Sequence, residues 1–261
     1  MWCTIDDGDD GGRRAEEESR EIEGPVEFAK GRLGFDPDER QAAVLASGAK
    51  RGILNCTRQW GKSTVAAIKA VHRAYAAAGN LVVAASPTER QSGEFLRKAS
   101  EMVARLGIRP RGDGKNAISL LLPNGSRIVG LPGTEATIRG FSAVSLLVID
   151  EAARVPDAVY KALRPMLAVA DGDLWLLSTP FGKRGFYYEN WEHGGKEWER
   201  TTAPATECSR ISAGFLEDER RQLGEIWFRQ EYMCEFVDNG QHMFDRDVVM
   251  GAMDDIEPLR F

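Results

Sequence analysis

The run Asn55-Cys56-Thr57-Arg58-Gln59-Trp60-Gly61-Lys62-Ser63-Thr64 sets a flexible glycine, an ammonium and a hydroxyl side by side. That combination suits an anion carrying several phosphates. Backbone N–H groups at a helix start point at the phosphates, and the helix dipole favours negative charge there. Lys62 would reach the β- and γ-phosphates, and the Ser63 hydroxyl would enter the shell of a Mg²⁺ ion. In the usual G-x-x-x-x-G-K-[ST] pattern the first position is Gly, whereas this chain has Cys56, so the loop alone is an imperfect match.

A second constellation strengthens it. Leu146-Leu147-Val148-Ile149 is a continuous apolar run that ends in Asp150-Glu151, about 90 residues after the loop. Such a run is expected of a buried parallel strand, with the two carboxylates at its C-terminal tip. Open α/β sheets bind ligands outside the carboxyl ends of their strands. Asp150 would then hold Mg²⁺ through water, and Glu151 would orient and activate an attacking water. Phosphoryl transfer also gains from a positive charge on the γ-phosphate. Arg139, in Ile138-Arg139-Gly140-Phe141, and Arg58, inside the loop, are the two candidates. Ser178-Thr179-Pro180 follows another apolar run, Leu174-Trp175-Leu176-Leu177. Hydroxyls there can sense the γ-phosphate or cap the next turn. Gln41 lies about 20 residues before the loop, and its amide can donate to and accept from an adenine edge. Phe35 is a stacking candidate beside it, and a solvent-facing Gln on a short helix is the plainer reading.

The elements that must position these groups alternate in type. Gly52-Ile53-Leu54 reads as the strand into the loop and Val65 to Ala78 as the helix after it. Leu81–Ala85 reads as a buried strand, 89–106 as an amphipathic helix, and Asn124-Gly125 between two apolar runs as a hairpin turn. Gly107 to Asn116 is expected to be a mobile loop. A helix over 158–169, one over 186–191, a strand near 198–202 and a helical pattern over 213–236 complete the reading. The aromatic residues of that last pattern are expected to be core. Strands alternating with helices predict an α/β fold with a mostly parallel sheet flanked by helices. Leu81–Ala85 intervenes between the loop and the acid pair, which fits the additional-strand, catalytic-glutamate branch of P-loop NTPases.

Bulk properties narrow the class. The 261 residues suit one large domain or a domain with a small subdomain. No apolar run approaches the roughly 20 residues that span a bilayer, and the N-terminus lacks signal-peptide features. Four widely spaced cysteines form no C-x-x-C pair, which suits a reducing cytoplasm rather than a zinc site or disulfide framework. The net charge of −6 resides in residues 1–24, with nine acids and three bases, and the other charges cancel. That segment is expected to be a disordered acidic tail. The rest divides into a core at 25–180, a lid or linker subdomain at 181–236 and a tail at 237–261.

The loop Cys56–Thr64 resembles the variant phosphate loop of the large terminase subunit of tailed bacteriophages. So do Ile138-Arg139-Gly140 leading into Leu147-Val148-Ile149-Asp150-Glu151-Ala152-Ala153, and Leu177-Ser178-Thr179-Pro180 with Gly182 and Gly185. Tyr232-Met233-Cys234-Glu235-Phe236 is similar to the end of that family's ATPase region. The likeness covers roughly residues 35–240. It implies an ATP-driven motor that packages double-stranded DNA into a procapsid in the cytoplasm of a bacterial host. ATP and Mg²⁺ would be its cofactors. Portal protein, the small terminase subunit and further copies in a ring would be its partners, with no membrane involved. By the same likeness Cys56 to Thr64 surround ATP, with Lys62 and Ser63 on phosphate and Mg²⁺, Asp150 on Mg²⁺ and Glu151 in catalysis. Ser178-Thr179-Pro180 would couple hydrolysis to movement, Arg139 would be a finger toward a neighbouring subunit, and Arg58 the arginine of the phosphate loop. Large terminases carry a second, nuclease domain. The chain stops at Phe261, so an isolated or split ATPase domain without DNA cleavage is expected. A helicase-like translocase and a nucleotide-dependent assembly module are the alternatives.

Overall fold

The computed structural model describes residues 23–132 and 140–238. The acidic tail up to residue 22, Ile138-Arg139 and the tail from residue 239 lie outside the described residues.

Apolar runs build the centre. Strands β1 (Arg51–Cys56), β2 (Leu81–Ser86), β5 (Leu146–Asp150) and β6 (Asp173–Ser178) are buried along almost their whole length. Residues buried on both faces mark strands covered by helices on each side. With β3 (Ser119–Leu121), β4 (Arg127–Pro132) and β7 (Trp198–Ala203) they form a seven-stranded sheet ordered β3-β4-β2-β5-β6-β1-β7. Every pairing is parallel except β3 with β4, which is the hairpin around Asn124-Gly125. The strand lying between the phosphate-loop strand β1 and the acid strand β5 is β6, not Leu81–Ala85. The additional strand of the expected branch is therefore the one carrying Ser178 at its tip, and β2 flanks β5 from the other side.

Helices α1 (Pro25–Gly31), α2 (Glu39–Ala46), α3 (Lys62–Ala76) and α4 (Glu89–Arg105) cover one face. Asp38 starts α2 through a capping box with Gln41, which sets the helix entry one turn later than Phe35. Helices α5 (Asp157–Leu163) and α6 (Gly185–His193) cover the other face. The single helix expected over 158–169 is an α-helix that passes into a 3₁₀ turn, Arg164–Leu167, where Pro165 withholds a backbone donor. Gly52 leaves room for the side chain of Trp175, the residue paired with it on β6. A Cβ there would lie 2.4 Å from the ring of the buried Trp175.

Residues 107–118 form a loop, as expected, whereas the pattern over 213–236 departs from expectation. Residues 107–118 are organised around Asp113, whose carboxylate accepts from the N–H groups of Lys115 and Asn116 and from the Ser119 hydroxyl. Burial alone would raise its pKa, but these bonds outweigh it and hold the carboxyl well below the usual range. The pattern over 213–236 is two helices, α7 (Ala213–Leu223) and α8 (Glu225–Glu231), broken at Gly224 with φ 78°. Only Leu216, Phe228 and Tyr232 form a small satellite cluster with Ala205. Phe215, Leu223, Ile226 and Trp227 remain about half exposed, so the aromatic core expected there is only partly formed.

Candidate active site

The carboxyl ends of β1, β5 and β6 meet under the loop Cys56–Gly61. Gly61 caps α3 at φ 101°, a conformation that a Cβ would strain. The turn it allows starts the helix at Lys62 and leaves the first N–H groups of α3 facing the loop. Gln59 in the loop (φ 65°) and Glu151 after β5 (φ 51°) are non-glycine residues in the left-handed region. Such backbone persists where surrounding contacts over-determine it, and it clusters at functional sites.

The two motifs touch. The Ser63 hydroxyl donates to Asp150 Oδ2 at 2.7 Å, and the Glu151 N–H donates to Asp150 Oδ1 at 3.0 Å. Burial pushes the Asp150 carboxyl up, partly offset by the Ser63 hydroxyl and the nearby Lys62. Lys62 is itself buried and donates to the carbonyls of Cys56 at 2.7 Å and Thr57 at 3.0 Å. It therefore lies folded into the loop that it is expected to serve. Ser63 and Asp150 are hard oxygen donors side by side at a strand tip, which suits Mg²⁺, an ion that usually takes one or two protein oxygens plus phosphates and water.

The other predicted residues take different places. The Cys56 thiol turns away, fully buried against the Thr201 carbonyl at 3.8 Å, so only its backbone belongs to the loop. The Trp60 ring likewise joins the core, and its carbonyl receives Gln41 Nε2 at 2.8 Å and Arg210 Nη2 at 2.7 Å. Thr64 sits in the first turn of α3, its N–H bonded to the Gly61 carbonyl. Gln41 is almost wholly buried, with its other amide atom accepting from the Asp38 N–H. It is thus a support of the loop, at the wall of a cavity of about 310 Å³ lined by Asp38, Arg40, Trp60, Glu207 and Arg210. Phe35 packs on the core instead of lining that cavity.

At the strand tip of β6, Ser178 and Pro180 are buried, and Thr179 enters a network that the sequence reading missed. Its hub is Glu231, at the end of α8, with a side chain only 3% exposed. Glu231 accepts from Arg58 Nε at 2.8 Å, Arg154 Nη2 at 2.7 Å and the Thr179 hydroxyl at 3.1 Å. Arg154 also donates to Glu151 Oε2 at 3.0 Å and to Thr179 Oγ1 at 3.2 Å. The Thr57 hydroxyl donates to the Glu231 carbonyl at 3.1 Å. Burial opposes the charge on Glu231, but the two arginines outweigh it and hold its carboxyl below the usual range. One carboxylate thus ties the phosphate loop, the acid pair and the tip of β6 to the C-terminal helices. No sequence signal singled it out, because Glu231 is one of six acids between residues 213 and 236. Of the two arginine candidates, Arg58 is in this network, and Arg139 is outside the described residues.

The family described as "Terminase large subunit, T4likevirus-type, N-terminal" matches residues 53–249. The chain belongs to the large terminase subunit family. It is similar to the large terminase subunit of Thermus virus P23-45, at 30% identity over 81% of this chain and 51% of that protein. It therefore spans about half the length of the curated terminases it matches. Among solved structures, the Thermus phage P74-26 large terminase ATPase domain superposes with a TM-score of 0.74 at 25% identity, covering 82% of this chain and 100% of that one. The large terminase of the thermophilic bacteriophage D6E in complex with ATP-gamma-S shares the fold, with a TM-score of 0.62 at 16% identity over 76% of this chain and 52% of that one. Among the described residues no helix is long and apolar enough to cross a membrane.

Proposed function

We propose that this terminase chain binds and hydrolyses ATP, and that hydrolysis drives double-stranded DNA into a procapsid. The observation that carries the reading is the contact of Ser63 with Asp150, with Lys62 and Glu151 as their immediate neighbours. Lys62 exchanges its loop carbonyls for the β- and γ-phosphates. Ser63 and Asp150 would hold Mg²⁺, which would supply positive charge against the charge that develops on the phosphates. Glu151 takes the proton of the attacking water, and it must leave Arg154 to do so. Arg58 can trade Glu231 for the γ-phosphate, because it bonds Glu231 through Nε from a largely exposed side chain. The cavity beside Gln41 takes the base and ribose end. Ser178-Thr179-Pro180 and α7–α8 then feel the loss of γ-phosphate through Thr179 and Glu231, which makes those helices the lid. Arg139 acts on a neighbour's nucleotide in a ring, with portal protein and the small subunit as further partners in the bacterial cytoplasm.

The test is steady-state hydrolysis of Mg-ATP as a function of protein concentration, for the wild type and Glu151→Gln. The wild-type rate per subunit is expected to climb with concentration, and the variant to bind ATP while losing turnover by about 10² or more. Normal hydrolysis by Glu151→Gln would remove Glu151 from the mechanism. A rate that stays constant with concentration would remove the neighbour's arginine.

A further inference from the structure

A lysine on the hidden side of α3 has no part in the chemistry above, yet it is built into the frame with care. Lys69 lies two turns beyond Lys62 on the same helix. Its ammonium donates to the carbonyls of Val44 at 2.9 Å, Ser47 at 3.0 Å and Leu45 at 3.4 Å, which are the unpaired acceptors at the end of α2. It also stands 4.3 Å above the ring of Trp175, the residue for which Gly52 makes room. A cation at a helix C-terminus is favoured by the helix dipole. The other end of α2 carries Gln41, whose amide holds the Trp60 carbonyl of the phosphate loop.

These contacts close a circle: loop to α3, α3 through Lys69 to the end of α2, and α2 through Gln41 back to the loop. We infer that Lys69 is a positioning residue for the nucleotide, a brace that fixes α2 against α3 and so holds the Gln59-Trp60 corner of the phosphate loop in its binding shape. The inference rests on the reading of the loop as an ATP site. It assigns affinity, not the chemical step, to Lys69, because the hydrogen bonds of Lys69 and Gln41 run to α2 and to the Trp60 carbonyl rather than to Glu151 or Asp150.

The charge state of the brace gives it a signature. Burial pushes the Lys69 ammonium down to about 8, against the upward pull of Glu199 on β7 and Asp173 on β6, with Arg73 beside it lowering it further. His72 on the same helix also feels it. Above that value the amine is neutral, has two hydrogens for three carbonyls and loses its attraction to the indole. ATP affinity should therefore fall as pH rises through about 8. Stability should move the other way. A lysine whose folded value is depressed binds fewer protons than in the unfolded chain, so its own contribution to stability rises with pH in that window.

The experiment is equilibrium binding of Mg-ATP by calorimetry, from about pH 7 to about pH 9.5, with thermal unfolding followed in parallel. It is run on the wild type and on Lys69→Met, which keeps the stem and removes the ammonium. Wild-type Kd is expected to rise about tenfold across the range without a matching fall in Tm, an amount equivalent to the net worth of one hydrogen bond. Lys69→Met should bind at the weaker level throughout, with no step near pH 8, and keep its kcat within about twofold while KM rises. A wild-type Kd that does not change with pH overturns the brace, and this arm needs no variant to fold. Unchanged affinity in a folded Lys69→Met protein overturns it as well. Failure to bind ATP at any pH would instead overturn the nucleotide reading itself.

Discussion

The strand tips and the C-terminal helices hold themselves together by different means. Around β1, β5 and β6 the residues beneath the site are apolar and almost wholly buried, from Ile53 and Leu54 to Val148, Leu176 and Leu177. Polar groups at the tips, such as Ser63 and Asp150, stand on that frame and cannot shift without disturbing it. Helices α7 and α8 instead bury two large apolar side chains, Leu216 and Phe228, which cluster with Tyr232 and Ala205, and leave four large apolar residues half exposed. What joins them to the site is Glu231 with Arg58, Arg154 and Thr179. Apolar burial is non-directional and close-packed, so it makes a scaffold. An ionic clasp can be opened by a competing charge, and under the proposed function a triphosphate would supply one. The difference separates the part that stays from the part that can move.

The sharpest way to break that comparison is to attack the scaffold at its tightest point. Gly52→Ala places a methyl group 2.4 Å from the Trp175 ring, in a buried layer between β1 and β6. Overpacking there should cost about 3 kcal/mol and unfold the whole domain earlier in urea. An unchanged midpoint would show that the sheet yields where it is described as rigid.

Opening the clasp should have a smaller and local effect. Glu231→Gln leaves Arg58 and Arg154 without their shared carboxylate. Arg58 is largely solvated, so most of the cost falls at Arg154, on the order of 2 kcal/mol. Hydrogen exchange should quicken across Ala213–Glu231 while the amides of β1, β5 and β6 stay protected. If the sheet amides exchange faster too, the two regions are one cooperative unit.

How much of this could be read from residues alone follows the same division. The scaffold was legible because continuous apolar runs, a Gly-Lys-Ser turn and an acid pair each have a fixed periodicity or spacing. β1, β2, β5, β6 and the hairpin appear where their runs predict them. Strand order was not legible. Nothing in the run Leu174–Leu177 distinguishes an inner strand beside β1 from an outer one, because pairing depends on crossovers remote in sequence. Gln41 was picked out for its amide, but its partner is the Trp60 carbonyl, a contact that only folding creates. Glu231 and Arg154 were invisible for a related reason. They lie 77 positions apart and have no motif spacing, so charge pairing across the fold is their only mark.

Acid offers a finer test of the clasp. The arginines hold the Glu231 carboxyl below its usual range, so its contribution is fully present above the unfolded value and is lost as pH falls through the folded one. Fluorescence of Trp227, on the same helix, should change in that acid window before the far-UV signal of the sheet is lost. In Glu231→Gln the early step should vanish. Coincident loss of both signals in the wild type would mean that acid attacks the scaffold first.

Salt should give the smallest effect and distinguish two parts of the clasp itself. Arg58 meets Glu231 from a side chain that is 59% exposed, whereas Arg154 is 23% exposed. Ionic strength screens the first contact and scarcely reaches the second. Raising salt from about 0.05 M to about 0.5 M should therefore loosen α7 and α8 by at most about 1 kcal/mol, through Arg58 alone. Arg58→Met should remove most of the salt response in hydrogen exchange over Ala213–Glu231, and Arg154→Met should leave it in place. The reverse pattern would make Arg154 the solvent-sensitive half of the clasp. Arg58 would then be the fixed one, poorly suited to leave Glu231 for a phosphate.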